Sequence, residues 1–167
     1  MVRDHLEALQ IRKWYTINME QIIQLLKKWQ ANSVVFASTA HGFHWNVEGP
    51  LFTQYHEFFG KIYEDVQSSV DLIAEWIRKF DSQAPYSLQY FIALQTYEEV
   101  VLESNSPISM SRQLLSMNDQ IILEIKNLFE VANIQSEQGL ANFLSERQDK
   151  HQLWGWQLRA SLKSTVN

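Results

Sequence analysis

The sequence of residues 44–75, HWNVEGPLFTQYHEFFGKIYEDVQSSVDLIAE, sets the architecture of this chain and contains four potential metal ligands. The pair Gly49-Pro50 is a turn signal, so a break in secondary structure is expected there. After the turn, apolar residues recur every three or four positions, which is the spacing of one helix face. The stretch therefore predicts a turn followed by one long helix over residues 52–80. Its apolar face consists of Tyr55, Phe59, Ile62, Val66, Val70, Ile73, Ile77 and Phe80.

Four side chains in this stretch are potential metal ligands: two histidines, His44 and His56, and two carboxylates, Asp71 and Glu75. The histidines flank the turn and can converge across it. The carboxylates are four positions apart, so they share a helix face. His56 and Asp71 lie 15 positions apart, and at about 1.5 Å per residue the helix separates them by roughly 22 Å. Because metal–ligand bonds are only about 2 Å long, one ion cannot bind both ends of a single chain.

The separation of these two half-sites predicts that a second copy of the chain completes the metal site. Two copies packed antiparallel about a two-fold axis bring the histidines of one chain to the carboxylates of the other, and such two-fold contacts are the commonest in oligomers. Imidazole with carboxylate suits iron, manganese or zinc, and the absence of cysteine disfavours a purely structural zinc site. The alternative is that Asp71 and Glu75 form a solvated helix face. The residues alone leave both interpretations open.

Several motifs resemble those of a known family, the Dps proteins of the ferritin-like superfamily. The similarity extends over residues 19–162. It is carried by HWNVEGPLF at 44–52, HEFF at 56–59, DLIAE at 71–75 and DKHQLWGWQLRA at 149–160. The resemblance implies that the two histidines bind iron from one subunit and that the two carboxylates bind it from the two-fold mate.

Similarity to the Dps family also implies a function. The protein would be a mini-ferritin with ferroxidase activity, whose twelve copies form a hollow shell. Iron(II) would be oxidised at the shared site, which could hold one or two iron ions, by hydrogen peroxide in preference to dioxygen. Ferric iron would be stored inside, which protects against oxidative damage. The alternative is an assembly or DNA-coating protein whose metal site is structural or occupied by zinc.

Two positions depart from the family pattern. Trp76 stands where the family usually has arginine, which affects local salt bridging rather than the ligands. Asn142 stands where aspartate is common, near the three-fold path by which iron reaches the interior in this family. Rings of acidic residues provide such paths. Glu137, Glu146 and Asp149 lie nearby, and Glu146 is the one we expect to contribute.

The chain termini do not predict DNA binding. Where Dps proteins bind DNA, they often use a lysine-rich extension against the phosphates. Residues 1–17 carry three basic and two acidic side chains, and the terminal LKSTVN has a single lysine. The formal net charge of −5 also argues against a globally basic nucleic-acid binder.

Helical periodicity over the whole chain predicts an all-α, ferritin-like four-helix bundle with a short extra helix in the long crossover. The long helices are expected over 18–46, 52–80, 109–132 and 137–162, and the short one over 87–99. A domain of residues 18–167 would follow an arm or short helix at 1–17, with Asn18 capping the first long helix. The three prolines are expected between helices. Di-iron sites within one chain use Glu-x-x-His pairs, and this sequence has none.

Two further histidines and two aromatic residues near the ligands are left out of the predicted ligand set. His41 lies three positions before His44 and is interpreted as a hydrogen-bonded residue rather than an auxiliary ligand. His151 is interpreted as a packed, hydrogen-bonded core residue. Trp45 and Tyr63 are close enough in sequence to the ligands to donate an electron to an oxidising intermediate, although large aromatic residues in helices usually belong to the core.

The composition predicts a cytoplasmic protein without membrane contact. The chain has no cysteine, which fits a reducing compartment. Its N-terminus, MVRDHLEAL, lacks the basic and apolar segments of a secretory signal. No apolar run approaches the roughly 18 residues of a membrane span.

Overall fold

The structure is a computed structural model of the 167-residue chain. It describes the backbone of residues 2–98 and 104–163, and within these ranges the side chains from residue 19 onward. In this part of the chain all regular secondary structure is α-helix, so the predicted order of four long helices and one short helix is confirmed. The helices are α1 (Val2–Asn46), α2 (Phe52–Lys79), α3 (Leu88–Leu94), α4 (Pro107–Ile134) and α5 (Gln138–Ser161).

One buried face of each long helix forms a single core, in which α1 packs on α2 and α4, and α4 packs on α5. The face predicted for α2 is buried except at Val70 and at Phe80, just after the helix, which are only partly covered. Ser69 is buried in the same region. The apolar spacing thus places the long helices correctly. The buried residues of α1 include Ile22, Leu26, Trp29, Ser33, Phe36 and Ala40.

The predicted start of the first long helix at Asn18 is wrong. α1 is continuous from Val2, so Asn18 lies inside the helix and does not cap it. The sequence contains no glycine before Gly42 and no proline before Pro50. Since nothing interrupts the backbone hydrogen bonding, an isolated asparagine does not end the helix. The division of the chain into an arm and a domain at this point remains a prediction.

The expected loop at 104–107 is one residue too long. Pro107 is the first residue of α4, and Ser106 caps the helix by accepting a hydrogen bond from the Ser109 backbone N–H at 3.2 Å. Proline is favoured at this position because the first helical N–H has no partner within the helix. α5 begins at Gln138, one residue after the predicted start.

The crossover helix α3 ends at Leu94 rather than at residue 99. Gln95 leaves the helix with an extended backbone, at φ −66° and ψ 154°. Asn32 of α1 holds the next residue, accepting from the Thr96 backbone N–H at 2.8 Å and donating to Thr96 Oγ1 at 3.0 Å. This pairing across the bundle ends α3, because the same backbone donor is no longer available to the helix. Residue 99 lies outside the described residues.

The turn between α1 and α2 is built around Gly49. Its φ of 113° lies in the region that side chains other than hydrogen strongly disfavour. The Gly49 carbonyl accepts from the Phe52 backbone N–H at 3.0 Å, which starts α2. The C-terminal end of α1 and the N-terminal end of α2 are therefore held side by side.

A polar cluster joins α2 to α5 near the centre of the bundle. The Arg147 guanidinium donates to both carboxylate oxygens of Asp65, at 3.0 and 2.9 Å, and Trp154 Nε1 donates to the same group at 2.7 Å. Burial alone raises the pKa of Asp65, but these hydrogen bonds and the guanidinium charge outweigh it and hold the pKa below its usual value. The carboxylate therefore stays ionised and links the two helices.

None of the described helices combines the length and apolarity that crossing a membrane requires.

Candidate metal centre

The two predicted histidine ligands meet at one end of the bundle. His44 is in the last turn of α1 and His56 is near the start of α2. The turn at Gly49 brings their rings into a stack, with centroids 3.7 Å apart and planes inclined by 22°. The predicted convergence across the turn is confirmed.

Reciprocal hydrogen bonds fix both rings. His44 Nδ1 donates to the carbonyl oxygen of His56 at 2.6 Å, and His56 Nδ1 donates to that of His44 at 2.7 Å. A carbonyl oxygen can only accept, so in each neutral ring the proton is on Nδ1. The Nε2 atom of each ring then carries a free lone pair. Metal-binding histidines are commonly held by this kind of second hydrogen bond, so the pair is prepared to bind metal through Nε2.

A third histidine packs beside the pair without joining it. The His41 ring stacks on Tyr63 at 3.8 Å with planes 5° apart, and it also contacts the Trp45 ring at 4.0 Å. Among the described residues His41 makes no hydrogen bond, so the hydrogen-bonded role expected for it is replaced by ring packing. Trp45 is 64% exposed. Of these rings only that of His41 lies beside the pair, with its centroid 6.0 Å from that of His44.

The two predicted carboxylate ligands lie on the same helix but far from the histidines. Asp71 and Glu75 are exposed, one turn apart on α2. Neither makes a hydrogen bond or ion pair with another described residue. Within the described part of one chain, no three histidine, aspartate or glutamate side chains gather closely enough to hold a metal ion. A single chain therefore presents two separate half-sites, and their union in an oligomer remains a prediction.

The tryptophan that departs from the family pattern has its own partners. The Trp76 ring packs against Phe143 of α5 at 6.3 Å, and Lys79 Nζ lies 3.9 Å from its centroid. Trp76 thus makes a cation–π contact with Lys79, at the position where the sequence left local salt bridging uncertain. Sequence reasoning missed Lys79, although its spacing of three from Trp76 puts both on one helix face.

Most of this chain matches one known protein family. The profile of the Ferritin-like domain family matches residues 23–165. The chain belongs to the ferritin-like family. A relative named DNA protection during starvation protein, from Brevibacillus brevis, is 28% identical over 150 residues, covering 87% of this chain and 98% of that protein.

Solved Dps structures share the fold of this ferritin-like chain. Dps from Thermosynechococcus elongatus superposes with a TM-score of 0.86 at 25% identity, covering 90% of this chain and 95% of that one. A Dps protein from Vibrio cholerae O1, described as a member of a broad superfamily of ferritin-like diiron-carboxylate proteins, gives 0.84 at 24%, covering 89% and 92%. The predicted four-helix bundle and the predicted membership of the Dps family are both confirmed.

Proposed function

We propose that this Dps-family chain is a mini-ferritin that binds iron(II) at a site shared between two copies and oxidises it. The observation that carries the proposal is the locked pair His44 and His56, whose Nε2 atoms are both free to bind metal. In each chain the exposed carboxylates of Asp71 and Glu75 stand at the other end of the same helix surface. An antiparallel second copy supplies them to the histidines.

The stacking of the histidine rings supports two iron ions in each site. A metal ion binds in the plane of the imidazole, about 2 Å from the nitrogen. The two ring planes incline by only 22° with centroids 3.7 Å apart, so they stay separated over that distance. One ion cannot lie in both planes, and we assign one iron to each histidine. The description of the Vibrio cholerae protein as a diiron-carboxylate protein agrees with iron, whereas zinc or manganese gains no support from the comparisons.

Paired carboxylates favour the oxidised product. Their negative charge stabilises iron(III) more than iron(II), because the attraction grows with the charge of the ion. Hydrogen peroxide accepts one electron from each of two iron(II) ions and, with two protons, leaves as two water molecules. Both electrons leave from neighbouring ions, so no hydroxyl radical is released. We propose that ferric iron is then stored inside a hollow oligomer of twelve copies, which protects the cell against oxidative damage.

The alternative, a DNA-coating or assembly protein with a structural or zinc-occupied site, is favoured by the name DNA protection during starvation protein, which the relative from Brevibacillus brevis shares with others. The net charge of −5 and the weakly charged termini do not support phosphate binding. At moderate salt and neutral pH we expect the protein to leave plasmid mobility in a gel unchanged. Retardation that weakens steeply with salt would reveal a basic surface formed on assembly.

The cytoplasmic location also remains a prediction.

The consumption of peroxide tests the proposed function directly. Oxygen-free protein loaded with iron(II) should remove peroxide rapidly, at about two iron ions per peroxide molecule if each site pairs two ions as in two-metal catalysis. No loss of peroxide, or loss of peroxide and oxidation of iron no faster than with free iron(II), would contradict the proposal and favour a structural site.

A further inference from the structure

A glycine lies inside α2, one helical turn after His56. Gly60 is buried. Among the described glycines Gly49 has a positive φ, whereas Gly60 has an ordinary helical backbone. Glycine inside a helix costs about 1 kcal/mol relative to alanine. Since Gly60 does not use the backbone freedom of glycine, the missing side chain is the feature that matters.

The His44 ring occupies the space that a side chain at position 60 would need. A Cβ atom there would lie 3.0 Å from His44 Nδ1 and 3.3 Å from its Cε1. Both distances are shorter than ordinary van der Waals contact. The ring cannot retreat easily, because His44 Nδ1 donates to the His56 carbonyl at 2.6 Å and the ring stacks on His56. His44 is thus held between the backbone of α2 and a second ring.

We propose that Gly60 is a positioning residue for the metal site, and this inference rests on the proposed function. Its missing side chain lets the His44 ring lie against α2, which keeps Nδ1 on the His56 carbonyl and directs Nε2 to the metal. A side chain at position 60 turns the ring and breaks this hydrogen bond. The reciprocal bond from His56 to His44 then loosens as well, because both bonds join the same two residues.

Gly60→Ala tests the proposal, and Gly42→Ala is its matched control. Gly42 also lies inside a helix, two positions before His44, and a Cβ atom there would meet nothing within 4 Å. Both changes bring the same gain in helix propensity, so the difference between them isolates the contact with His44. Cobalt(II) serves as a probe of the site that air does not readily oxidise.

Crystal structures of the metal-free oligomers and calorimetric titration with cobalt(II) give two independent readouts. In Gly60→Ala we expect the bond from His44 Nδ1 to the His56 carbonyl to be broken and the cobalt Kd to rise by about 10- to 100-fold, the range seen when a ligand loses its supporting hydrogen bond. Gly42→Ala should match the wild type in both. An unmoved ring with unchanged affinity in Gly60→Ala would overturn the proposal.

The two readouts also separate this inference from the proposed function. If the wild type binds no metal and oxidises no iron, the proposed function fails, while the position of the His44 ring still decides the role of Gly60. If Gly60→Ala does not fold, the double variant with His44→Ala removes the obstructing ring. Recovery of folding in the double variant supports the contact, and persistent misfolding overturns it.

Discussion

Histidines in two regions of this molecule share one hydrogen-bonding pattern but differ in access. At the end of the bundle, His44 and His56 donate from Nδ1 to carbonyl oxygens. In the core, His151 donates from Nδ1 to Asn118 Oδ1 at 2.8 Å, while Asn118 Nδ2 donates back to the His151 carbonyl at 2.9 Å. All three rings therefore carry the proton on Nδ1 and a lone pair on Nε2.

Only the surroundings of Nε2 separate the two regions. His151 is 0% exposed, and its Nε2 is buried without a hydrogen-bond partner among the described residues. His44 and His56 are half-buried beside an exposed tryptophan. Burial lowers the pKa of His151 to about 3, with the nearby Arg147 charge acting in the same direction. A fixed tautomer is thus insufficient for a ligand, because the lone pair must also be reachable. The predicted packing role of His151 is confirmed.

The largest expected effect is on the rate of iron oxidation, which should depend on the histidines at the end of the bundle and not on the histidine in the core. His56→Ala and Asp71→Ala should each slow iron oxidation by at least about 100-fold, since losing a ligand costs more than losing its supporting hydrogen bond. His151→Gln should keep the wild-type rate per folded oligomer. Stopped-flow absorbance of ferric product measures the rates, and helix content by circular dichroism confirms that each variant folds.

Mixed oligomers of the two inactive variants sharpen this test. In a pair that contains one copy of each, one shared site has both defects and the other has none. With random pairing about a two-fold axis, an equal mixture should recover about a quarter of the wild-type sites. Subunit exchange without any recovery would contradict a site completed by the second copy.

The next effect concerns the stability of the core histidine. The pKa of His151 is about 3 in the folded chain and 6.5 in its usual state, so the unfolded chain binds more protons between these values. The free energy of unfolding should therefore be fully retained above pH 6.5 and fall as the pH drops, by up to about 1.4 kcal/mol per unit. Urea unfolding at fixed protein concentration, between pH 6.5 and 4.5, avoids the range where Asp65 titrates.

His151→Gln should flatten this pH dependence, since glutamine can donate to Asn118 without titrating. His41→Gln is the control, because His41 lies at the surface end of the bundle against Tyr63. An equal slope in wild type and His151→Gln would show that burial of His151 does not control stability in acid.

The fold could be predicted because apolar spacing and breakers are local signals. The face of α2 and the turn at Gly49-Pro50 follow directly from the order of residues, and so does the approach of His44 to His56. The end of α3 could not be predicted, because Asn32 reaches Thr96 from 64 positions away. Gly60 carried a signal that was missed: a glycine inside a strongly periodic helix costs about 1 kcal/mol relative to alanine, which a packing role can offset. The pairing of the histidines with Asp71 and Glu75 of a second copy is not determined by the structure of a single chain.

The smallest expected effect concerns an acidic side chain outside both histidine regions. Glu146 is exposed on α5, near the three-fold path that the family resemblance implies. Glu146→Gln should slow iron uptake by roughly two- to threefold at low salt, because one steering charge per copy is lost. Raising the ionic strength should narrow the difference, while peroxide use at saturating iron stays unchanged. An unchanged uptake rate at low salt would remove Glu146 from the path and leave Glu137 or Asp149 to be tested.

Anomalous diffraction at the iron edge, from crystals of the oligomer soaked in iron(II) without oxygen, tests the shared site most directly. We predict two iron peaks in each of the two shared sites at a two-fold interface, one beside Nε2 of His44 and one beside Nε2 of His56. Asp71 and Glu75 of the other copy should complete their coordination. Iron bound only to residues of one chain, or no iron peak near the histidine pair, would contradict the account.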